Sequence, residues 1–212
     1  MTVNAFYSCP ADCTDVQLPA LPTDPYCVGV PGLSQVGSLI IVPCGVDDPF
    51  VDNSGTIELN VSSAINNTAT DNSAPHQLVG RGGVDEHEAL EYEGPLRQNL
   101  IWLRRYTLNF EVPIPSNSAG DTLYNYMQAL QCGSIDFRFF YIDTENKLYG
   151  EVNADSEGGI HPMMVNVQMP KGNGTDDLQV ATISITWEST TGDPNRYASP
   201  IDIMSESCAG AA

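Results

Sequence analysis

The stretch Ile135–Val152 reads IDFRFFYIDTENKLYGEV and decides how the rest of the chain is interpreted. Five of its eighteen residues are aromatic, and the polar segment Asp143–Lys147 divides it into two halves. Aromatic and β-branched residues favour strands and the polar break favours a turn, so the stretch predicts a β-hairpin. Bulky residues occupy both faces of this hairpin. We therefore expect one face to cover a helix and the other to contact a second copy of the protein.

A helix is predicted directly before this hairpin, in the segment SAGDTLYNYMQALQCG (Ser118–Gly133). Asp121 is the expected N-cap and Gly133 the expected C-terminal stop. One face of the helix carries apolar residues at positions i, i+3, i+4 and i+7. These residues are Leu123, Tyr126, Met127 and Leu130.

Alternation of apolar and polar residues predicts strands before and after the helix and the hairpin. The segments are VGSLIIV (Val36–Val42), GTIELNVSS (Gly55–Ser63), RRYTLNFEVPI (104–114), PMMVNVQMP (162–170) and QVATISITWES (179–189). Together they predict a mainly β fold, an antiparallel sandwich or barrel-like sheet with one packed α-helix and an extended N-terminal arm.

Composition divides the chain into three parts. Residues 1–50 are rich in proline and cysteine and predict an extended arm with one strand. Residues 51–200 form the predicted β-rich domain, and residues 201–212 a C-terminal tail. Within the domain, residues 66–93 are polar, acidic and rich in glycine, so we expect a long loop with at most a short strand near Gln77–Val79.

The chain is strongly acidic, with 27 acidic against 8 basic residues and a formal net charge of −19. Proteins bind the phosphate backbone through clustered Lys and Arg, so this composition disfavours nucleic-acid and anionic-membrane binding. Two interpretations stay open, a solubilising surface or a surface that faces DNA without binding it. The candidate lumen or loop acids are Asp85, Glu86, Glu88, Glu91 and Glu93.

Targeting signals are not expected in this sequence. No apolar run approaches the ~18 residues that a membrane-spanning helix needs. The start, MTVNAFYSCPADC, has neither the basic region nor the apolar region of a secretory signal. We therefore expect synthesis and assembly in a cytoplasm and no membrane partner.

The cysteines do not follow a zinc-binding pattern, since no second close pair or histidine stands at ligand spacing. Free buried thiols are one interpretation. Disulfides are the other, if the finished particle leaves the cell. The candidates are Cys9, Cys13, Cys27 and Cys44. The Asp-rich segment GVDDPFVDNSG lacks the spacing of a calcium loop, so neither a metal nor another cofactor is predicted.

Catalytic motifs are also not expected. The densest candidate is Asp85–Glu93, in which His87 stands among acids, but we interpret it as a solvated acidic loop. The segment GRGG (80–83) lacks the lysine and the strand–helix context of a phosphate-binding loop, and we interpret it as a flexible turn. Neither H-E-x-x-H nor G-x-S-x-G occurs, so we expect no enzyme.

The order YTLNFEVPI, DTLYNYMQAL, IDFRFFYID, TENKLYGEV and LQVATISITWES, within about Arg105–Pro194, resembles tail tube and related structural proteins of long-tailed bacteriophages. The resemblance implies a β-sandwich-like subunit flanked by a helix, which forms stacked rings, often hexameric, around a tube for DNA. It also implies a virion location, partners that are copies in the same and adjacent rings, other tail proteins, and DNA in transit without specific binding.

Contacts between copies are expected from the arm, from the first strand and from the hairpin. The candidates are Phe6, Tyr7, Leu39, Ile41, Phe139, Tyr141, Leu148 and Tyr149, together with the basic doublet Arg104 and Arg105, which would pair with acids on a neighbouring copy or element. Three alternatives remain: a capsid-associated or tail-terminator component, a cation- or carbohydrate-binding β-domain, and an acid-dependent hydrolase that uses Asp85–Glu93.

Overall fold

A computed structural model describes residues 36–69, 73–93, 99–115, 117–132, 137–152, 158–170, 179–189 and 194–202. These ranges contain ten strands, one α-helix and a short 3₁₀ turn at Val61–Ser63. The strands are β1 (Val36–Pro43), β2 (Phe50–Asn53), β3 (Thr56–Leu59), β4 (His76–Glu93), β5 (Asn99–Pro113), β6 (Phe137–Asp143), β7 (Lys147–Tyr149), β8 (Met164–Gln168), β9 (Val180–Ser189) and β10 (Arg196–Ala198), and the helix is α1 (Ser118–Cys132).

Eight strands form one antiparallel sheet in the order β10-β7-β6-β1-β4-β5-β9-β8, and β2 pairs with β3 in a small second sheet. The large sheet is open, since β10 and β8 are its two edges. The predicted class, mainly β and antiparallel with one packed helix, is confirmed. The sheet does not close into a barrel.

The helix packs on one face of the large sheet, as the sequence pattern predicts. Leu123, Tyr126, Met127 and Leu130 are buried in one cluster with Leu108 and other residues of the sheet. Full burial of such a side chain contributes roughly 1.5–3 kcal/mol.

The start of the helix differs from the expectation. The helix begins at Ser118, and the side-chain oxygen of Asn117 accepts a hydrogen bond from the Gly120 amide at 3.2 Å. Asp121 lies in the first turn, where its negative charge interacts favourably with the positive end of the helix dipole.

The β2–β3 hairpin covers part of the opposite face of the sheet. Phe50 and Ile57 are buried against Phe140, Ile142 and Leu148. The rings of Phe50 and Phe140 meet edge to face with centroids 5.2 Å apart. The second face of the Ile135–Val152 hairpin therefore lies in a core of its own chain. The expectation that it contacts another copy is wrong, because a segment about ninety residues earlier in the chain already covers it.

The segment predicted as the acidic loop 66–93 is a strand from His76 onward, and β4 is eighteen residues long. The glycines that suggested a flexible turn lie within this strand. The Phe110 side chain of β5 passes over two of them, Gly80 and Gly82. A Cβ atom at Gly80 or Gly82 would collide with a backbone oxygen of β5 and come within 2.9 Å of the Phe110 ring. A glycine in a sequence can indicate a turn, but inside a strand it can also mark a place where another segment comes very close to the backbone. The second explanation applies to Gly80 and Gly82.

Two further boundaries differ from the expectations. Strand β1, assigned to the arm 1–50, pairs with both β4 and β6 in the middle of the sheet, so residues 36–50 belong to the domain. Residues 1–35 lie outside the described ranges. The strand predicted at Gly55–Ser63 ends at Leu59, and Val61 in the following turn is 93% exposed. Within the described ranges, no helix is both long enough and apolar enough to cross a membrane.

Candidate functional site

The half of the sheet formed by β4, β5, β9 and β8 has one face that carries mainly polar residues. We call this surface the open face. In β9 and in residues 104–113 of β5, residues facing α1 are buried and apolar, and the alternating residues are partly or fully exposed with the exception of Thr186. The open face carries Arg81, Asp85, Arg105, Thr107, Asn109, Glu111, Asn166, Thr182, Ser184, Thr186 and Glu188. Four strands at ~4.8 Å spacing make this surface roughly 15 Å wide.

Both arginines of the open face are neutralised by glutamates on the adjacent strand. The Arg81 Nε atom lies 2.6 Å from a Glu111 carboxylate oxygen. Arg105 donates two hydrogen bonds to one oxygen of Glu188, at 2.6 and 3.0 Å. Each guanidinium thus has a carboxylate in hydrogen-bond contact, which reduces its attraction for phosphate.

Uncharged groups connect the strands between these ion pairs. The Ser184 hydroxyl donates to the Asn109 side-chain oxygen at 2.6 Å, and the Asn109 amide donates to Asp85 at 3.3 Å. The hydroxyls of Thr107 and Thr186 are 3.1 Å apart. Many of the hydrogen-bonding side chains of the open face are therefore paired with side chains on a neighbouring strand of the same face.

Strands β4 and β5 continue beyond the described ends of the strands beside them, β1 and β9. The pairing of β1 with β4 ends at Gly82, and the pairing of β9 with β5 ends at Arg104. Further out, residues 88–93 and 99–103 pair only with each other among the described strands. We call this two-stranded segment the ribbon. Five residues of strand extend ~17 Å.

All five predicted acids lie in β4. Asp85 is exposed on the open face, opposite Thr107. Glu86, Glu88, Glu91 and Glu93 lie along the outer part of β4 rather than in a loop. The loop conformation expected for these acids is therefore wrong, because His76–Glu93 is a strand.

Five of the eight predicted contact residues that the structure describes lie in the core. Leu39, Ile41, Phe139 and Leu148 are fully buried, and Tyr141 is 5% exposed. They cannot form contacts between copies without unfolding, so this expectation is wrong for these five residues. Phe6 and Tyr7 lie outside the described ranges.

One residue of the basic doublet, Arg105, shows the expected pairing with an acid. Arg105 pairs with Glu188 on a neighbouring element of the same chain. Arg104 lies opposite Ser189 in the β5–β9 pairing. The sequence pattern did not identify Glu111 and Glu188 as partners of these arginines, although each stands on the polar side of an alternating strand.

Tyr149 lines an open hollow of about 420 Å³ together with Val36, Val84, Tyr141, Asp143 and Arg196. Its ring stacks on Tyr141 at 4.6 Å, its hydroxyl donates to Asp143 at 3.1 Å, and the Arg196 guanidinium lies 5.7 Å from its ring centre. Burial and the Asp143 carboxylate raise the pKa of Tyr149, so the hydroxyl stays a donor. Arg196 in turn contacts Asp143 and Glu145. The polar groups of the hollow thus bind one another.

Cys44 is disulfide-bonded in the structure, as expected for one of the four candidate cysteines. Cys9, Cys13 and Cys27 lie outside the described ranges. Among the described residues, no three His, Cys, Asp or Glu side chains come together as a group that could hold a metal ion.

In comparisons with known proteins, no family model, no curated protein and no solved structure matches this chain.

Proposed function

We propose that the protein is a virion structural subunit that assembles into stacked rings and forms a bacteriophage tail tube through which DNA passes. The observation that carries this proposal is the open face, a four-stranded polar surface whose two arginines are each held by a glutamate. A surface lining a DNA channel must be hydrated and must not retain phosphate. The polar side chains of the open face and the pairing of its two arginines support both requirements.

The net charge supports the same assignment. At −19 per chain, several copies around a channel would repel DNA at short range. Salt screens this repulsion beyond ~8–10 Å under cellular conditions. Acids therefore act on DNA only when they line the wall closely, as Asp85 would on the open face, where Glu111 and Glu188 neutralise the two arginines.

The ribbon supports assembly. An isolated two-stranded hairpin is at best marginally stable in water and gains stability from a third strand or a packing surface. A ribbon that pairs with no other described strand therefore suits a contact with another copy. The resemblance of the order of strands and helix to tail tube proteins agrees with this interpretation.

Sedimentation velocity and negative-stain imaging of the purified full chain test the proposal. We expect rings or tubes with a central channel at micromolar to millimolar concentration. A protein that stays monomeric throughout this range, in low and high salt, would contradict the proposal. Single rings that never stack would favour the tail-terminator alternative, in which the same surfaces form one closing ring.

A further inference from the structure

Strand β8 is an edge of the large sheet that lacks the usual protection against pairing. Natural edge strands are made very short or carry charged residues or proline, which prevents association with other strands. The sequence of β8 is MVNVQ, without a charge or a proline. The opposite edge, β10, has only three residues and begins with Arg196. Of the two edges, β8 is therefore the one suited to receive another strand.

Exposed methionines lie at the start of this edge. Met163 is 48% exposed and Met164 is 55% exposed. Methionine is flexible and polarisable, so it packs well at surfaces that bind other chains. The two side chains add apolar contact area beside the outer backbone groups of β8, which pair with no other described strand.

The ribbon offers a strand of matching length. Its second strand, residues 99–103, reads NLIWL and pairs with β4 on one side only among the described strands. This segment has five residues, as β8 has, and neither carries a charge. In a chain of net charge −19, two acid-free strands can meet with little repulsion between copies.

The two strands cannot meet within one copy. Strand β9 lies between β5 and β8 in the same sheet. We therefore propose that the β8 edge of one copy pairs with ribbon residues 99–103 of a second copy, and that Met163 and Met164 pack against that ribbon. The proposal rests on the assembly proposed above and names the two surfaces that meet.

The two surfaces differ, so the contact is head-to-tail. Such a contact makes a ring when the rotation between copies closes, and a helical filament when it does not. Each copy would supply one ribbon and one β8 edge. Every ribbon in a closed ring would then gain its missing strand.

Photo-crosslinking of the assembled full chain tests the pairing directly. Benzoylphenylalanine replaces Met163, and equal amounts of light and heavy isotope-labelled protein are mixed before assembly. We expect cross-linked peptides that join position 163 to residues 99–103, with mixed isotope pairs that identify them as intermolecular. Assembled rings whose cross-links fall elsewhere would overturn this inference and leave the tube assignment intact. A chain that never assembles would overturn both.

Paired variants give a second measurement. Met163→Lys/Met164→Lys places charges at the edge, and Leu59→Lys/Val61→Lys makes the same change at two other exposed apolar residues. We expect the first variant to raise the concentration needed for assembly at least tenfold and the second to change it less than threefold. Circular dichroism and thermal melting check that both variants are folded. Equal effects of the two folded variants on assembly would contradict the proposal.

Discussion

The Asp48 carboxylate lies 3.1 Å from the guanidinium of Arg138, and both side chains are almost completely buried. Arg138 also donates to the Val46 carbonyl at 2.6 Å, and the Gly158 amide donates to Asp48. Burial raises the pKa of Asp48 in spite of these partners. Asp48 thus connects the segment after β1 to Arg138 of β6 and to the segment at Gly158.

Replacement of Asp48 should destabilise the fold strongly. Asp48→Ala leaves the buried Arg138 charge without its partner, and we expect a loss of roughly 3–5 kcal/mol in the free energy of unfolding. Urea denaturation monitored by circular dichroism measures it. The matched control is Glu111→Ala, which breaks the exposed pair with Arg81 and should cost about 1 kcal/mol or less. Similar losses in both variants would show that burial of the ion pair does not determine how much stability is lost when its carboxylate is removed.

Stability should depend on the protonation of His76. The ring is fully buried, its Nδ1 lies 3.3 Å from the Tyr126 hydroxyl, and burial lowers its pKa from 6.5 to about 4. The unfolded chain binds this proton more readily, so the stabilisation is present above pH 6.5 and is lost as the pH falls towards 4. We expect a loss of ~2 kcal/mol between pH 7 and pH 5.

Urea titrations at both pH values measure this loss, with His76→Gln as the comparison. We expect the glutamine variant to be less stable at pH 7. Its loss in the free energy of unfolding between pH 7 and pH 5 should, however, be smaller than that of the unmodified protein by most of the ~2 kcal/mol. An identical pH dependence in both proteins would assign the effect to other groups.

The glycines of β4 should tolerate substitution unequally. A Cβ atom at Gly82 collides with β5, whereas one at Gly83 meets nothing within 4 Å. Gly82→Ala should therefore lower the free energy of unfolding by about 1–3 kcal/mol or more, as overpacking does. Gly83→Ala should be neutral or slightly stabilising. Thermal melting of the two variants decides the matter, and equal melting temperatures would contradict the predicted contact with Phe110.

Removal of the two glutamates of the open face should create affinity for DNA. In Glu111→Gln/Glu188→Gln the Arg81 and Arg105 guanidiniums lose their carboxylates, so assembled protein should retain double-stranded DNA at low salt and release it as salt rises. Fluorescence anisotropy of labelled DNA measures the binding. Glu58→Gln/Glu151→Gln changes the net charge equally at two residues off the open face and should bind no more than the unmodified protein. Equal binding by both variants would mean that net charge alone controls DNA affinity.

Local patterns in the sequence predicted the elements whose partners are near in the chain. The hairpin Phe137–Tyr149, helix α1 and the alternating strands β5 and β9 stand where the periodicity placed them, because each forms its pattern within ten to fifteen residues. The class of the fold follows from these elements.

The errors concern contacts made over long distances in sequence. The cover over Phe140 comes from Phe50, and the close approach over Gly82 comes from Phe110. The local sequence around Phe140 or Gly82 gives no sign of these partners. The second face of the hairpin was therefore interpreted as a contact surface between copies, and β4 as a loop. The ion pairs of the open face were missed for the same reason, since Arg105 and Glu188 are adjacent only in the assembled sheet.

The central position of β1 has a kinetic consequence. Its residue Leu39 pairs with Leu78 on one side and with Tyr141 on the other, 39 and 102 positions away. Closing such large loops slows folding relative to local pairing. During synthesis, the apolar residues of β1 leave the ribosome long before β6 exists to flank them. The nascent chain therefore passes through a period in which chaperone capture and misassociation compete with the native fold.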